Sequence, residues 1–243
     1  MSISLRRAVN AVSFRVARRF DRAAVSRAHE VFYASNAWTQ ATWLGSQALK
    51  NPLDLWVYQE IMAETRPDVV VETGTYRGGS AHFLASVCDL LGAGEVVSID
   101  IEPLREDYPQ HPRITYLAGR SSTDEGVLAE VRERVDGRRT LIVLDSDHSQ
   151  QHVEAELEAY APLVPVGCYL VVEDSNIGQI RKDLLPGPLE AVETFLARTN
   201  EFEIDREREK FLLTFNPSGY LKRVRSPVRR PESAHADTGR AKT

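Results

Sequence analysis

Leu-Asp-Ser-Asp-His at 144–148 and Val-Val-Glu-Asp-Ser-Asn at 171–176 gather the residues of this chain best suited to do chemistry. Carboxylates at the ends of buried strands are costly unless something pairs with them. Three carboxylates at one point, Asp145, Glu173 and Asp174, repel one another unless a cation sits between them. An all-oxygen set of this kind suits a hard divalent ion such as Mg²⁺. The competing assignment for these acids is helix capping or surface pairing, and Asp147 or Ser149 suits the cap. His148 lies three residues after Asp145 and could take a proton from a substrate there, which makes it the candidate general base. Standing alone it would read as a hydrogen-bonded structural histidine. His152 lies one helical turn further on, but no glutamate stands between the two as a two-histidine zinc site requires.

The elements that must position these groups follow from the apolar pattern. Residues 140–144 and 168–172 are apolar runs that read as buried strands, joined by one helix from Ser149 to about Leu163. Val69–Val71 is a shorter buried strand ending at Glu72. It leads into Thr73-Gly74-Thr75-Tyr76-Arg77-Gly78-Gly79-Ser80 and a helix to about Leu91. Glycines let backbone approach a ligand closely, and a helix N-terminus adds partial positive charge. This turn is neither the dinucleotide pattern G-x-G-x-x-G nor a P-loop. Glu72 suits a ligand with a cationic amino-acid end. Asp100 closes the strand Glu95–Asp100, where it could accept hydrogen bonds from a ribose. Together they point to S-adenosylmethionine, with Glu72, Gly74, Gly78, Ser80 and Asp100 as cofactor residues. The other reading of the turn is tight helix–strand packing alone.

Further along, Leu53 to about Thr65 forms a helix opened by Pro52 and Asp54. Residues 114–117 form a third strand, and Asp124 caps a helix to Val135. Gly187-Pro188 opens a helix to about Arg198. The segments 202–205 and 211–215 are expected to close the fold as a pair of strands. Residues 31–52 read as aromatic and irregular, with Trp38, Trp43 and Gly45; Trp43 and, beyond that stretch, Tyr58 could form an apolar wall for an acceptor. Residues 175–188 read as a segment that lines or covers it. Strands alternating with helices imply an α/β fold with a mostly parallel, seven-stranded, Rossmann-like sheet covered on both faces. Ligands then collect at the carboxyl ends of the strands, where all five acids are expected.

The chain has 243 residues, 42% hydrophobic and 27% charged, with net charge −5. That balance gives no electrostatic case for nucleic acid. Cys88 and Cys168 are too few and too far apart for a disulfide framework, which fits a reducing cytoplasm. No apolar run is long enough to span a bilayer. Residues 1–30 carry seven arginines with apolar positions at helical spacing, so a basic amphipathic helix is expected. A surface or subunit-contact role in a homo-oligomer is the preferred reading, and contact with a membrane surface is the alternative. Residues 31–223 form the main domain, and 224–243 read as a disordered tail.

Trp43-Leu-Gly45, Pro52-x-Asp54-x-x-x-Tyr58-Gln59-Glu60, Arg66-Pro-Asp68, Glu72-Thr-Gly-x-x-x-Gly-Gly-Ser80, Gly-Arg-Ser-Ser-Thr-Asp124, Leu-Asp-Ser-Asp-His148 and Val-Glu-Asp-Ser-Asn176 occur in one order over roughly residues 30–223. In that order they resemble the cephalosporin hydroxylase family, and within it the rhamnosyl O-methyltransferases. The resemblance implies a class I S-adenosylmethionine-dependent methyltransferase fold with a divalent metal. It implies Asp145, Glu173 and Asp174 as metal ligands and His148 as general base. It adds Ser121 or Ser122 at the adenine end of the cofactor and counts Asp145 with the cofactor residues too. The implied acceptor is a sugar hydroxyl, rhamnose-like, on a glycosylated natural product or glycolipid. The rivals are a nicotinamide oxidoreductase and a non-catalytic partner protein that binds S-adenosylmethionine in antibiotic tailoring.

Overall fold

Short apolar runs of β-branched residues, each closed by a polar residue, form the sheet of this protein. In the computed structural model, which describes residues 22–226, five of them pair in parallel: β3 (Val69–Thr73), β4 (Glu95–Asp100), β5 (Ile114–Ala118), β6 (Thr140–Leu144) and β7 (Tyr169–Val172). β8 (Phe202–Ile204) and β9 (Tyr220–Arg223) complete seven strands in the order β5-β4-β3-β6-β7-β9-β8, with β9 antiparallel to both neighbours. β1 (Thr42–Trp43) and β2 (Ser46–Gln47) make a separate two-stranded ribbon.

Alternate side chains of the strands face opposite cores, as the two-residue period demands. Val69, Val71, Ile142, Leu144, Leu170 and Val172 pack with helices α4 (Glu125–Val135), α5 (Gln150–Tyr160) and α6 (Pro188–Arg198). Val70, Val96, Leu141, Val143 and Val171 pack with α2 (Pro52–Thr65) and α3 (Gly79–Leu91). Burial of each such side chain contributes about 1.5–3 kcal/mol. Cys88 and Cys168 are buried free thiols in these cores. Local signals set the helix starts. Asn51 accepts from the Leu53 amide at 3.1 Å ahead of Pro52, Asp124 accepts from Gly126 and Val127, and Ser149 accepts from His152.

Three expectations need revision. Residues 211–215 are not a strand; the edge is closed by Tyr220–Arg223 instead. The buried Asp54 carboxylate captures the Thr214 hydroxyl at 2.6 Å and the Phe215 amide at 2.9 Å, so those groups never reach a ladder. Residues 31–52 are more regular than expected: α1 (Arg22–Ala34) runs into them, followed by a 3₁₀ turn at Ala37–Gln40 and the β1–β2 ribbon. The helix expected to run to about Leu163 ends at Tyr160 and continues as a 3₁₀ turn, Ala161–Leu163. The basic stretch before residue 22 and the tail after 226 lie outside the described residues. Among the described residues no helix is long and apolar enough to cross a membrane.

β3 and β6 are neighbours, yet the chain visits β4 and β5 between them. The strand order therefore reverses at their carboxyl ends, which opens a crevice there. Gly74 sits at that point with φ +84°, and a Cβ built on it would lie 1.9 Å from the Asp145 carbonyl oxygen. Gly74→Ala should therefore lower the unfolding free energy by about 2–4 kcal/mol, read from urea melts. An unchanged midpoint would show that the two strand ends can part.

Candidate active site

All the expected acids stand at the carboxyl edge of the sheet. Asp145 follows β6, Glu173 and Asp174 follow β7, Glu72 lies within β3 one residue before its end, and Asp100 ends β4. The Glu173 amide donates to the Leu144 carbonyl at 2.9 Å, which locks the β6 and β7 ends side by side. Asp174 takes a left-handed backbone conformation, φ 53°, uncommon for a residue other than glycine, and its amide donates to Asn216 Oδ1 at 3.1 Å. That turn swings its carboxylate toward His148.

His148 Nε2 lies 3.4 Å from Asp145 Oδ1 and 3.3 Å from Asp174 Oδ2. Burial would lower its pKa, but these two carboxylates outweigh burial and raise it to about 9. One ligand atom each from Asp145, His148 and Asp174 lie within 4.8 Å of one another. Two carboxylate oxygens and one imidazole nitrogen at this spacing fit a divalent ion; Glu173, expected as a ligand, is not one of the three. Glu173 stands beside this group with Oε1 engaged by Tyr58 at 2.6 Å and by Lys50 at 2.8 Å. Burial, then the Asp145 charge, push Glu173 up to about 8 despite Lys50. Burial likewise raises Asp174 to about 6. Asp145 is held below the usual carboxylate value: burial opposes this, but Lys50 and His148 prevail.

The cofactor candidates occupy the other half of the crevice. Glu72 is fully buried; its Oε2 accepts from Ser98 at 2.8 Å, while Oε1 is buried without a hydrogen-bond partner. Burial pushes Glu72 up to about 7, partly offset by Lys50. An orphaned carboxylate oxygen under a helix-opening turn fits a ligand with a cationic end. Asp100 accepts from the Tyr76 amide at 2.8 Å and the Glu102 amide at 2.9 Å, leaving lone pairs for a hydroxyl. Ser80 lies buried in the first turn of α3. Ser121 bonds Thr123 at 3.0 Å, whereas the Ser122 hydroxyl is committed to Glu156 at 2.6 Å. Gly74 and Gly78 both have positive φ, and a Cβ at either would meet protein atoms, so the backbone itself requires glycine there. His152 pairs with Glu156 rather than with His148.

A cavity of about 820 Å³ opens beside His148. Asp147, Gln151 and Glu154 line one side, and Leu184, Leu185 and Pro186 from the expected covering segment line another. Tyr58 and Trp43 do not form the expected acceptor wall. Tyr58 is buried beneath the carboxylates, and Trp43 donates to Ser86 and packs edge-on against Phe83.

Sequence reasoning missed the groups that hold the acids. Lys50, 3% exposed, contacts Asp145 and Glu173. Tyr58, Asn216, Tyr220 and Asp54 form a buried hydrogen-bonded set behind them. A lysine two residues before a proline-opened helix carries no local signal of burial.

The family model for Rhamnosyl O-methyltransferase/CmcI matches residues 35–224. The chain belongs to that family. The Rhamnosyl O-methyltransferase of Mycobacterium leprae (strain TN) is 37% identical over 204 residues, 79% of this chain and 87% of the relative. That of Mycobacterium tuberculosis (strain ATCC 25618 / H37Rv) is 36% identical over 201 residues, 79% and 82%. The structure of CmcI with Mg and SAM superposes with a TM-score of 0.57 at 21% identity, over 77% of this chain and 78% of that one. That likeness establishes a shared fold.

Proposed function

We propose that this protein transfers a methyl group from S-adenosylmethionine to a hydroxyl of a rhamnose-like sugar carried on a natural product or glycolipid. The observation that carries the reading is His148 Nε2, 3.3–3.4 Å from two carboxylates at the strand-order reversal and open to a cavity. Relatives at 36–37% identity named Rhamnosyl O-methyltransferase support the acceptor class.

Asp145, Asp174 and Glu173 would hold a hard divalent ion, which lowers the pKa of an acceptor hydroxyl and fixes its direction. Glu72, Gly74, Gly78, Ser80, Asp100 and Ser121, with Ser122 and Asp145 beside them, would border the cofactor. His148 would accept the hydroxyl proton at Nε2 while the cofactor, when bound, would supply the methyl group, its sulfur–methyl bond giving way to the new oxygen–methyl bond and S-adenosylhomocysteine leaving. General-base assistance of this kind is worth about 10²–10⁴-fold. The Leu184–Leu185 wall would shelter the apolar side of a deoxysugar glycoside, while Asp147, Gln151 and Glu154 face its hydroxyls. Acidic lining of this kind disfavours carboxylate acceptors.

Incubation with labelled S-adenosylmethionine, Mg²⁺ and a panel of rhamnosides, free rhamnose, catechols and carboxylic acids tests this. Label is expected in the rhamnosides, with free rhamnose a poorer acceptor because it leaves the leucine wall unused. Label confined to catechols or carboxylates would overturn the sugar assignment.

A further inference from the structure

The acid cluster contains a cation of its own. Lys50 lies between β2 and α2 and is pinned there from both sides. The Ala48 amide donates to Ala41 at 2.9 Å, and the Asn51 side chain donates to the Leu213 carbonyl at 3.2 Å. Its ammonium pairs with Asp145 Oδ2 and lies 2.8 Å from Glu173 Oε1. His148 addresses the other Asp145 oxygen, Oδ1, and Asp174 Oδ2. The Asp145 carboxylate is thus shared between a fixed cation on one flank and the candidate ion position on the other. Buried and paired with two carboxylates, the Lys50 ammonium has its charge matched on the spot.

Once ionised, Asp145, Glu173 and Asp174 are balanced by one divalent ion plus one ammonium. We propose that Lys50 is a positioning residue that sets the charge of the centre. It holds Asp145 and Glu173 together without metal, and it tunes the site to a divalent ion by contributing the last positive charge. This rests on the metal reading above. Metal binding works against the Lys50 charge, so removing that charge tightens binding. The gain scales with the charge of the ion, because Coulomb energy is linear in it. Lys50 also bears on the protonation of Glu72, Glu173 and His148, so the proteins are compared at one pH with proton release on metal binding recorded alongside.

The test compares full-length wild type, Lys50→Met, Lys50→Gln and Lys50→Arg, titrated with Mn²⁺ alone by electron paramagnetic resonance, with Tb³⁺ read by displacement of Mn²⁺. Lys50→Met and Lys50→Gln are expected to bind Mn²⁺ at least ~10-fold more tightly and Tb³⁺ at least ~30-fold more tightly, the logarithms standing in the ratio of about 1.5 that the ion charges dictate. Lys50→Arg keeps the charge and should keep wild-type affinities. In chelator the neutral variants should melt well below wild type and recover most of the difference on adding Mn²⁺. Weaker or unchanged Mn²⁺ binding in both neutral variants, with wild type binding normally, overturns the Lys50 proposal alone. Neutral variants that stay unfolded with and without Mn²⁺ overturn it too, leaving Lys50 as a structural ion-pair partner. A wild type that binds no Mn²⁺ at millimolar concentration overturns the metal reading itself, and the Lys50 proposal with it.

Discussion

Asp145→Asn should leave a folded protein that turns over at least about 10³-fold more slowly, a loss of about 4 kcal/mol in transition-state stabilisation. Asparagine keeps the shape and removes the charge. Asp145 is the carboxylate addressed from both flanks, by Lys50 and by His148 Nε2. Its loss would release the base from one of its two anchors and remove an oxygen from the candidate ion position. The backbone frame should persist, because the Asp145 amide donates to the Thr73 carbonyl at 3.1 Å whatever the side chain. Removing one partner of a buried ion pair can cost about 3–5 kcal/mol of stability. Here Glu173 remains on Lys50 at 2.8 Å, so the cost should fall below that range. Label transfer and a thermal melt on one preparation separate the two effects. Turnover near wild type in a folded variant would remove Asp145 from the reaction.

His148→Ala should lower turnover by about 10²–10⁴-fold while leaving S-adenosylmethionine affinity within a few fold. The side chain contacts the acid pair and the cavity rather than the residues around Glu72 and Asp100. Its pKa, raised to about 9 by Asp145 and Asp174 against the pull of burial, means the imidazole is protonated at neutral pH while those carboxylates are unneutralised. It can accept a proton only when they are offset by another cation. Exhaustive chelation should therefore abolish turnover, and added Mg²⁺ should restore it. Calorimetry for the cofactor and label transfer for the rate check both halves. A His148→Ala enzyme at near-normal rate would exclude the base, and full activity after metal removal would exclude the ion.

The acids were legible because their signal is local. A run such as Thr140–Leu144 is apolar on both faces of a buried parallel strand, so the first acid after it must stand at the carboxyl edge. Four such ends stand side by side, with Thr73 opposite both Ile99 and Leu144 and Leu144 opposite Val172, and the acids cluster there. Helix starts were legible for the same reason, since Asn51, Asp124 and Ser149 cap within three residues of themselves. The strand expected at 211–215 failed because Asp54, some 160 residues earlier, takes its hydrogen-bonding groups. Tyr58, expected in an apolar wall for the acceptor, instead binds Glu173, 115 residues away, through its hydroxyl.

The sequence by itself determined the strand–helix alternation, the glycine turn, the acids at the strand ends and His148 beside them, because each depends on neighbours within a few residues. Only the tertiary structure decided how the charges are divided. Lys50 meets Asp145 across 95 residues, and Asn216 fixes the Asp174 amide across 42. Coulomb and hydrogen-bond energies depend on separation in space and on exclusion of water. No pattern along the chain carries either quantity until the sheet has closed over them.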